Sequence, residues 1–177
     1  FSSSLNGRRN VIYAGANDGM LHAFNAETGM EEWGFIPPFI ASKLPVIINK
    51  ELDGKTRTTY DKDGNVKTRS GGTNAIFGVD GSPVVHDMFI SGLTIDGEWE
   101  ANPSWHTILL IPYGRGGAGF SVLDVTYPVI ETGQGPLHMF SIFNDAINNR
   151  VLVADKDGFI EEHPYVRGGT NISQSAE

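Results

Sequence analysis

Asp61-Lys62-Asp63-Gly64-Asn65 sets carboxylate and amide oxygens at alternate positions, a spacing with which one loop can wrap a hard cation such as calcium. Asp61, Asp63 and Asn65 are the candidate ligands. The next alternate positions hold Lys67 and Arg69, no Glu closes the loop, and Gly64 stands out of place for an EF-hand. A plain hairpin turn is the favoured reading, with calcium as the alternative. Asp155-Lys156-Asp157-Gly158 repeats the ambiguity with less support.

Gly114-Arg115-Gly116-Gly117-Ala118-Gly119 invites comparison with phosphate-cradling loops. A dinucleotide site needs its glycines to open a helix, and a strand pattern follows here; a P-loop needs Gly-Lys-Ser/Thr, which is absent. The glycines are expected to build turns. The five histidines (His22, His86, His106, His138 and His163) show no H-E-x-x-H spacing and no close pairing, so metal catalysis has no constellation to stand on. Ser82 lacks the G-x-S-x-G frame of a nucleophile elbow. Asp80 and Asp87 are candidate ligand-binding carboxylates, but acidic residues at strand ends usually cap turns. Trp33 and Trp105 read as packing residues. Trp99, near Asp96 in a polar stretch, is the aromatic whose burial is least assured, and these two residues mark a candidate contact surface. No catalytic site and no bound cofactor are expected.

The elements that must carry these residues are short strands. Among 177 residues, 22 Gly and 9 Pro with 40% apolar residues suit strands joined by tight turns rather than long helices. Val11 to Ala14 and Met20 to Phe24 flank Asn17-Asp18-Gly19, whose residues tolerate positive φ. A second turn at Asn25 to Gly29 leads to Glu32 to Ile36, giving a three-stranded meander. The outline recurs with Thr107 to Ile111, a glycine-rich turn, Phe120 to Val125 and Met139 to Phe143. A weaker third copy starts at Arg150. Between the first two copies, Phe39 to Leu44 suggests one helical turn. Lys55 to Arg69 predicts a polar hairpin with Thr58, Thr59 and Tyr60 facing Val66, Lys67 and Thr68. Ala75 to Val79 and Val84 to Ile90 are predicted strands about an Asp80-Gly81-Ser82 turn. The expected structural turn residues are Asn17, Asp18, Gly19, Asp80, Gly81, Gly116 and Gly119, and Gly19 and Gly119 are expected to be conformationally necessary.

Thirteen Lys and Arg against 21 Asp and Glu leave a net charge of −8, which repels phosphate backbones and makes nucleic acid an unfavourable partner. With no Cys there is neither a disulfide framework nor a thiolate metal site. No run reaches the length of a membrane span. The chain opens on Phe1 and is read as a piece of something longer, with any export signal upstream.

Three blocks in this order resemble the PilY family, the type IV pilus tip-associated adhesins. The first is Gly15-Ala16-Asn17-Asp18-Gly19-Met20-Leu21-His22-Ala23-Phe24-Asn25-Ala26-Glu27-Thr28-Gly29. The second is Val79 to Asp87. The third runs from Trp105-His106-Thr107 through Gly114 to Gly119 and on to Leu123-Asp124-Val125-Thr126. The resemblance implies a quinoprotein-like, seven-bladed β-propeller at the cell surface or pilus tip, acting in pilus assembly and attachment. It also brings a calcium loop of alternating Asp and Asn, a pattern that Lys67 and Arg69 break here.

The expected fold is thus all-β: residues 1–177 form part of one propeller domain, with blade-like repeats near 10–38, 105–143 and 150–166 and insertions at 47–72 and 91–104. The expected function is non-catalytic attachment or assembly, with the propeller as scaffold and the insertions as contact surface. Its partners would be protein subunits of a surface filament or particle and a host-cell or abiotic surface. The alternatives are a virion structural or host-attachment protein with a PilY-like propeller, and a quinoprotein dehydrogenase fragment. The enzyme would need a cofactor-binding set of acidic, Arg and Trp residues plus calcium, and the sequence does not assemble one.

Overall fold

A computed structural model describes residues 9–45, 58–60, 66–68, 77–127 and 135–165. Val11–Gly15 (β1), Leu21–Asn25 (β2) and Glu31–Phe35 (β3) form an antiparallel meander in that spatial order. Its tight connections come from local chemistry. Gly19 has φ +89° and Gly29 φ +70°, conformations that cost a residue without a Cβ nothing. Pro37 and Pro38 then halt the sheet and start α1 (Pro38–Ala41), a single turn whose Ile40 is fully buried. Thr58–Tyr60 (β4) and Val66–Thr68 (β5) pair as the expected hairpin, Thr58 opposite Thr68 and Tyr60 opposite Val66.

Val84–Ile90 (β6), Ser104–Pro112 (β7), Gly119–Asp124 (β8), Leu137–Asp145 (β9), Arg150–Ala154 (β10) and Ile160–Pro164 (β11) make one six-stranded antiparallel sheet in sequence order. The second and third sequence repeats therefore share a sheet, joined where β9 pairs with β10 from Asp145 opposite Arg150 to Ser141 opposite Ala154. The predicted strand at Ala75 to Val79 is not a strand where it is described: Gly78 and Val79 form a bend. The close approaches of this segment explain why. The Val79 carbonyl lies 2.1 Å from where a Cβ on Gly15 would stand, and Gly78 packs its backbone on Gly19.

Alternation along β7 divides the interior in two. Leu109 and Ile111 face one core with Leu123 and Val125, completed by Leu21, Ala23 and Trp33 of the three-stranded sheet and by Val79. Ile108 faces the other side with Val122, Met139 and Leu93, the last supplied by the 91–104 insertion. That insertion therefore contributes to a core, where the sequence suggested only surface. Leu21, Leu109, Ile111 and Leu123 are fully buried, each stabilising the fold by about 1.5–3 kcal/mol. Trp33 and Phe140, each on the third strand of its sequence repeat, pack against different cores.

Candidate functional site

Three loops meet backbone to backbone at one end of the two sheets, and their glycines permit it. A Cβ on Gly78 would lie 2.3 Å from the Gly19 Cα, and one on Gly116 would lie 1.8 Å from the Gly78 carbonyl oxygen. The Lys43 ammonium donates to the Gly116 carbonyl from the side. Asp80 and Gly81 are tied in by their N–H groups, which donate to the carbonyls of Tyr113 (3.1 Å) and Pro112 (3.2 Å). The Asp80 carboxylate sits 3.8 Å from Arg115, whose guanidinium covers the Phe77 ring at 5.4 Å. Asp18 accepts from the Met20 N–H at 2.9 Å, stabilising the turn that begins at Asn17. Gly119 is fixed differently from Gly19. It is not among the positive-φ residues, and its requirement is close approach: a Cβ would stand 2.3 Å from the Ile142 carbonyl oxygen.

Asp61, Asp63 and Asn65 lie outside the described residues, between β4 and β5. Among the described residues no group of three metal-ligating side chains could hold an ion. Asp96 occupies the tip of the 91–104 hairpin, where the Gly97 N–H donates to the Thr94 carbonyl and Gly97 has φ +83°. Trp99 bridges to Leu93 and leaves half its surface exposed, with Ile95 also exposed nearby in the chain.

The densest chemistry lies at the base of that hairpin, around a histidine that the spacing of residues gave no reason to select. His106, on β7, is buried, with Nδ1 2.6 Å from Asp124 Oδ2 and Nε2 3.0 Å from Glu100 Oε2. Ser104 Oγ is 2.9 Å from the same Nε2 and donates to Glu100 at 2.9 Å. Thr126 Oγ1 is 3.3 Å from Nδ1 and donates to Asp124 Oδ1. Ser104, His106 and Asp124 thus stand in the pairwise order of nucleophile, base and orienting acid. Glu100 changes what the group can do. A carboxylate stands at each ring nitrogen, so Nε2 faces Glu100 as well as the serine. The serine hydrogen is engaged with Glu100, whose charge also opposes an oxyanion there. The arrangement acts as a clasp. Hydrogen bonds from His106 and Ser104 hold the Glu100 carboxyl below its ordinary range.

The three-stranded sheet carries a second clasp. His22 Nδ1 lies 2.6 Å from Glu31 and Nε2 2.9 Å from Asp18. Burial alone would lower the affinity of this ring for its proton, but the hydrogen bonds of Glu31 and Asp18 outweigh it and leave the pKa raised. A third group is a chain of hydroxyls: Tyr113 Oη, Ser121 Oγ and Ser141 Oγ are linked at 2.7 Å each, and Ser141 meets His138 Nε2 at 2.8 Å. Burial raises the Tyr113 pKa and lowers that of His138. Trp105-His106-Thr107 and Asp124-Val125-Thr126 are visible in sequence as matched blocks. What joins them is the β7–β8 register, Ile108 opposite Asp124.

Consecutive antiparallel meanders with Asx and glycine turns, and almost no helix among the described residues, make this an all-β chain of the kind from which propeller blades are built. The profile of the PilY1 beta-propeller domain matches residues 1–170, and the chain belongs to that family. The type IV pilus biogenesis factor PilY1 of Pseudomonas aeruginosa strain UCBPP-PA14 is 37% identical over 128 residues, 72% of this chain and 8% of that protein. A PilY1 homolog of Xylella fastidiosa strain Temecula1 is 28% identical over 171 residues, 94% of this chain and 9% of that protein. The chain thus spans less than a tenth of the length of these relatives. The crystal structure of the Pseudomonas aeruginosa PilY1 C-terminal domain aligns with a TM-score of 0.43 and 22% identity, covering 94% of this chain and 32% of that one.

Proposed function

We propose that the chain is part of a non-catalytic, surface-exposed assembly and attachment protein of a type IV pilus, with the propeller as scaffold. The family match over residues 1–170 carries this reading, because the relatives that share it are named type IV pilus biogenesis factors. Its partners are other protein subunits of the filament and the surface to which the filament adheres. No helix among the described residues is long and apolar enough to cross a membrane.

The 91–104 hairpin is the contact surface. Exposed Trp99 and Ile95 beside Asp96 and Glu98 support this, since solvent-facing aromatics with an acidic rim are what protein contacts use and what a core does not need. The test is attachment of the full-length protein carrying Trp99→Ala with Asp96→Ala. Attachment should fall several-fold with the melting temperature unchanged. Unchanged attachment would refute the choice of surface, and oxidation of alcohols or sugars with added pyrroloquinoline quinone would refute the non-catalytic reading.

A further inference from the structure

The 91–104 hairpin is held at its neck and nowhere as firmly elsewhere among the described residues. The Leu93 N–H donates to Asp124 Oδ2 at 3.3 Å, and the Glu100 N–H donates to the Gly92 carbonyl at 2.9 Å. The Glu100 carboxylate reaches across to His106. A Cβ on Gly92 would lie 2.4 Å from His106 Nδ1, so the ring packs directly on the hairpin backbone. Farther out, the hairpin meets the rest of the chain through a long Glu98–Lys156 pair at 3.7 Å whose Glu98 side is exposed, a contact of little strength.

The groups that face the ring are few. Asp124 comes from β8 and Glu100 from the hairpin, and they are the charged ones; the Ser104 and Thr126 hydroxyls are neutral, and Met88 stands opposite on β6. The two carboxylates are not equivalent. The Asp124 side chain is 3% exposed and is further held by the N–H groups of Leu93 and Thr126. The Glu100 side chain is 24% exposed and can turn to water. A neutral imidazole keeps one hydrogen, and the shorter contact with the better-anchored acid keeps it on Nδ1. The Nε2 lone pair then points at the Glu100 carboxylate, and that contact becomes repulsive.

We propose that His106 is the pin of a protonation-gated latch, which closes the 91–104 hairpin on the sheet when both ring nitrogens carry hydrogen and frees the hairpin neck on the Glu100 side when one proton leaves. This rests on the attachment reading only in treating the hairpin as the surface presented to a partner. Closed, the latch seats Leu93 in the second core and fixes the position of Trp99; open, it lets both move. In mild acid it stays closed, because the Glu100 carboxyl is held below its ordinary range.

Amide hydrogen exchange followed by NMR on the full chain across a pH series tests this, with the ring titrations of His106 and His22 recorded on the same samples. Protection at Thr94, Gly97 and Glu100, corrected for intrinsic rates, should fall by roughly tenfold or more as His106 loses its proton, while β7 and β8 amides hold. In Glu100→Gln, whose amide oxygen accepts from Nε2 and whose nitrogen donates to it, the step should flatten. A hairpin step that is absent, that follows His22 instead, or that persists unchanged in Glu100→Gln would overturn the latch. If that variant does not fold, the coincidence of midpoints in the unaltered chain decides. Attachment measured over the same pH series separates the two ideas: a latch that opens without any change in attachment leaves the latch standing and refutes the contact surface.

Discussion

Replacing Gly116 and Gly29 separately by Ala distinguishes two reasons why a chain needs glycine. At Gly116 the backbone is not in the left-handed region, and the obstacle is space. The new Cβ would lie 1.8 Å from the Gly78 oxygen, 2.6 Å from its carbonyl carbon and 2.9 Å from its Cα, all of them backbone atoms. Ordinary contact begins near 3.4 Å, so the two loops must part by about 1.6 Å (3.4 − 1.8). Overpacking of this kind costs about 1–3 kcal/mol, and the movement also strains the Gly116 N–H to Tyr113 bond of 2.8 Å, whose loss adds about 1 kcal/mol. The expected total is about 2–4 kcal/mol, a large part of the about 5–15 kcal/mol that holds a domain together. At Gly29 nothing lies within 4 Å, but φ is +70°, so Ala should cost about 1 kcal/mol through backbone strain alone. Asn, which tolerates that region, should recover most of the loss at Gly29 and none at Gly116. Urea unfolding with matched slopes measures both. Gly116→Ala within 0.5 kcal/mol of the unaltered chain, or Asn rescuing position 116, would refute the backbone junction.

Other consequences can be measured on the same chain. Ser121→Ala should cost about 1–3 kcal/mol, because it removes the buried hydroxyl that links Tyr113 Oη to Ser141 and breaks two hydrogen bonds, and the loss should show in the urea midpoint. His22, with its raised folded pKa, stabilises fully below its unfolded pKa, and that stability is lost as pH rises through the folded value. The stability gap between the unaltered chain and His22→Gln should therefore be at most about 1 kcal/mol in mild acid and shrink as pH rises, as thermal melts at several pH values would show. Calcium should leave the melting temperature nearly unchanged; a clear rise abolished by Asp63→Ala would restore Asp61, Asp63 and Asn65 as ligands.

The strands and turns were largely legible because they rest on local chemistry. Asn17-Asp18-Gly19 announces its turn through residues that accept unusual φ, and the Thr58 to Thr68 hairpin follows from alternation about a central Asp-Gly. The strand expected at Ala75 to Val79 shows the limit of that logic. Its apolar residues suit a strand, but Gly78 and Val79 are committed to contacts with Gly15, Gly19 and Gly116, which lie far away in sequence. The His106 clasp was illegible for the same reason. Glu100, His106 and Asp124 show no spacing of their own, and only the pairing of β7 with β8 and the fold-back of the hairpin bring them together. At Gly119 the sequence shows that a glycine is needed but not whether φ or close approach requires it, since the two look alike in a sequence.

The hydroxyl chain from Tyr113 to His138 has a polarity. Each hydroxyl gives one hydrogen and receives one, so the orientation of any member dictates that of the next. Burial lowers the affinity of the His138 ring for a second proton, and a neutral ring has a single hydrogen to place. With that hydrogen on Nδ1, Nε2 receives from Ser141, Ser141 from Ser121, and Ser121 from Tyr113; with it on Nε2, the order runs the other way. A tautomer choice at β9 thereby sets the direction of the Tyr113 O–H dipole at the far end of β7, and reversing it would require all three hydroxyls to turn together.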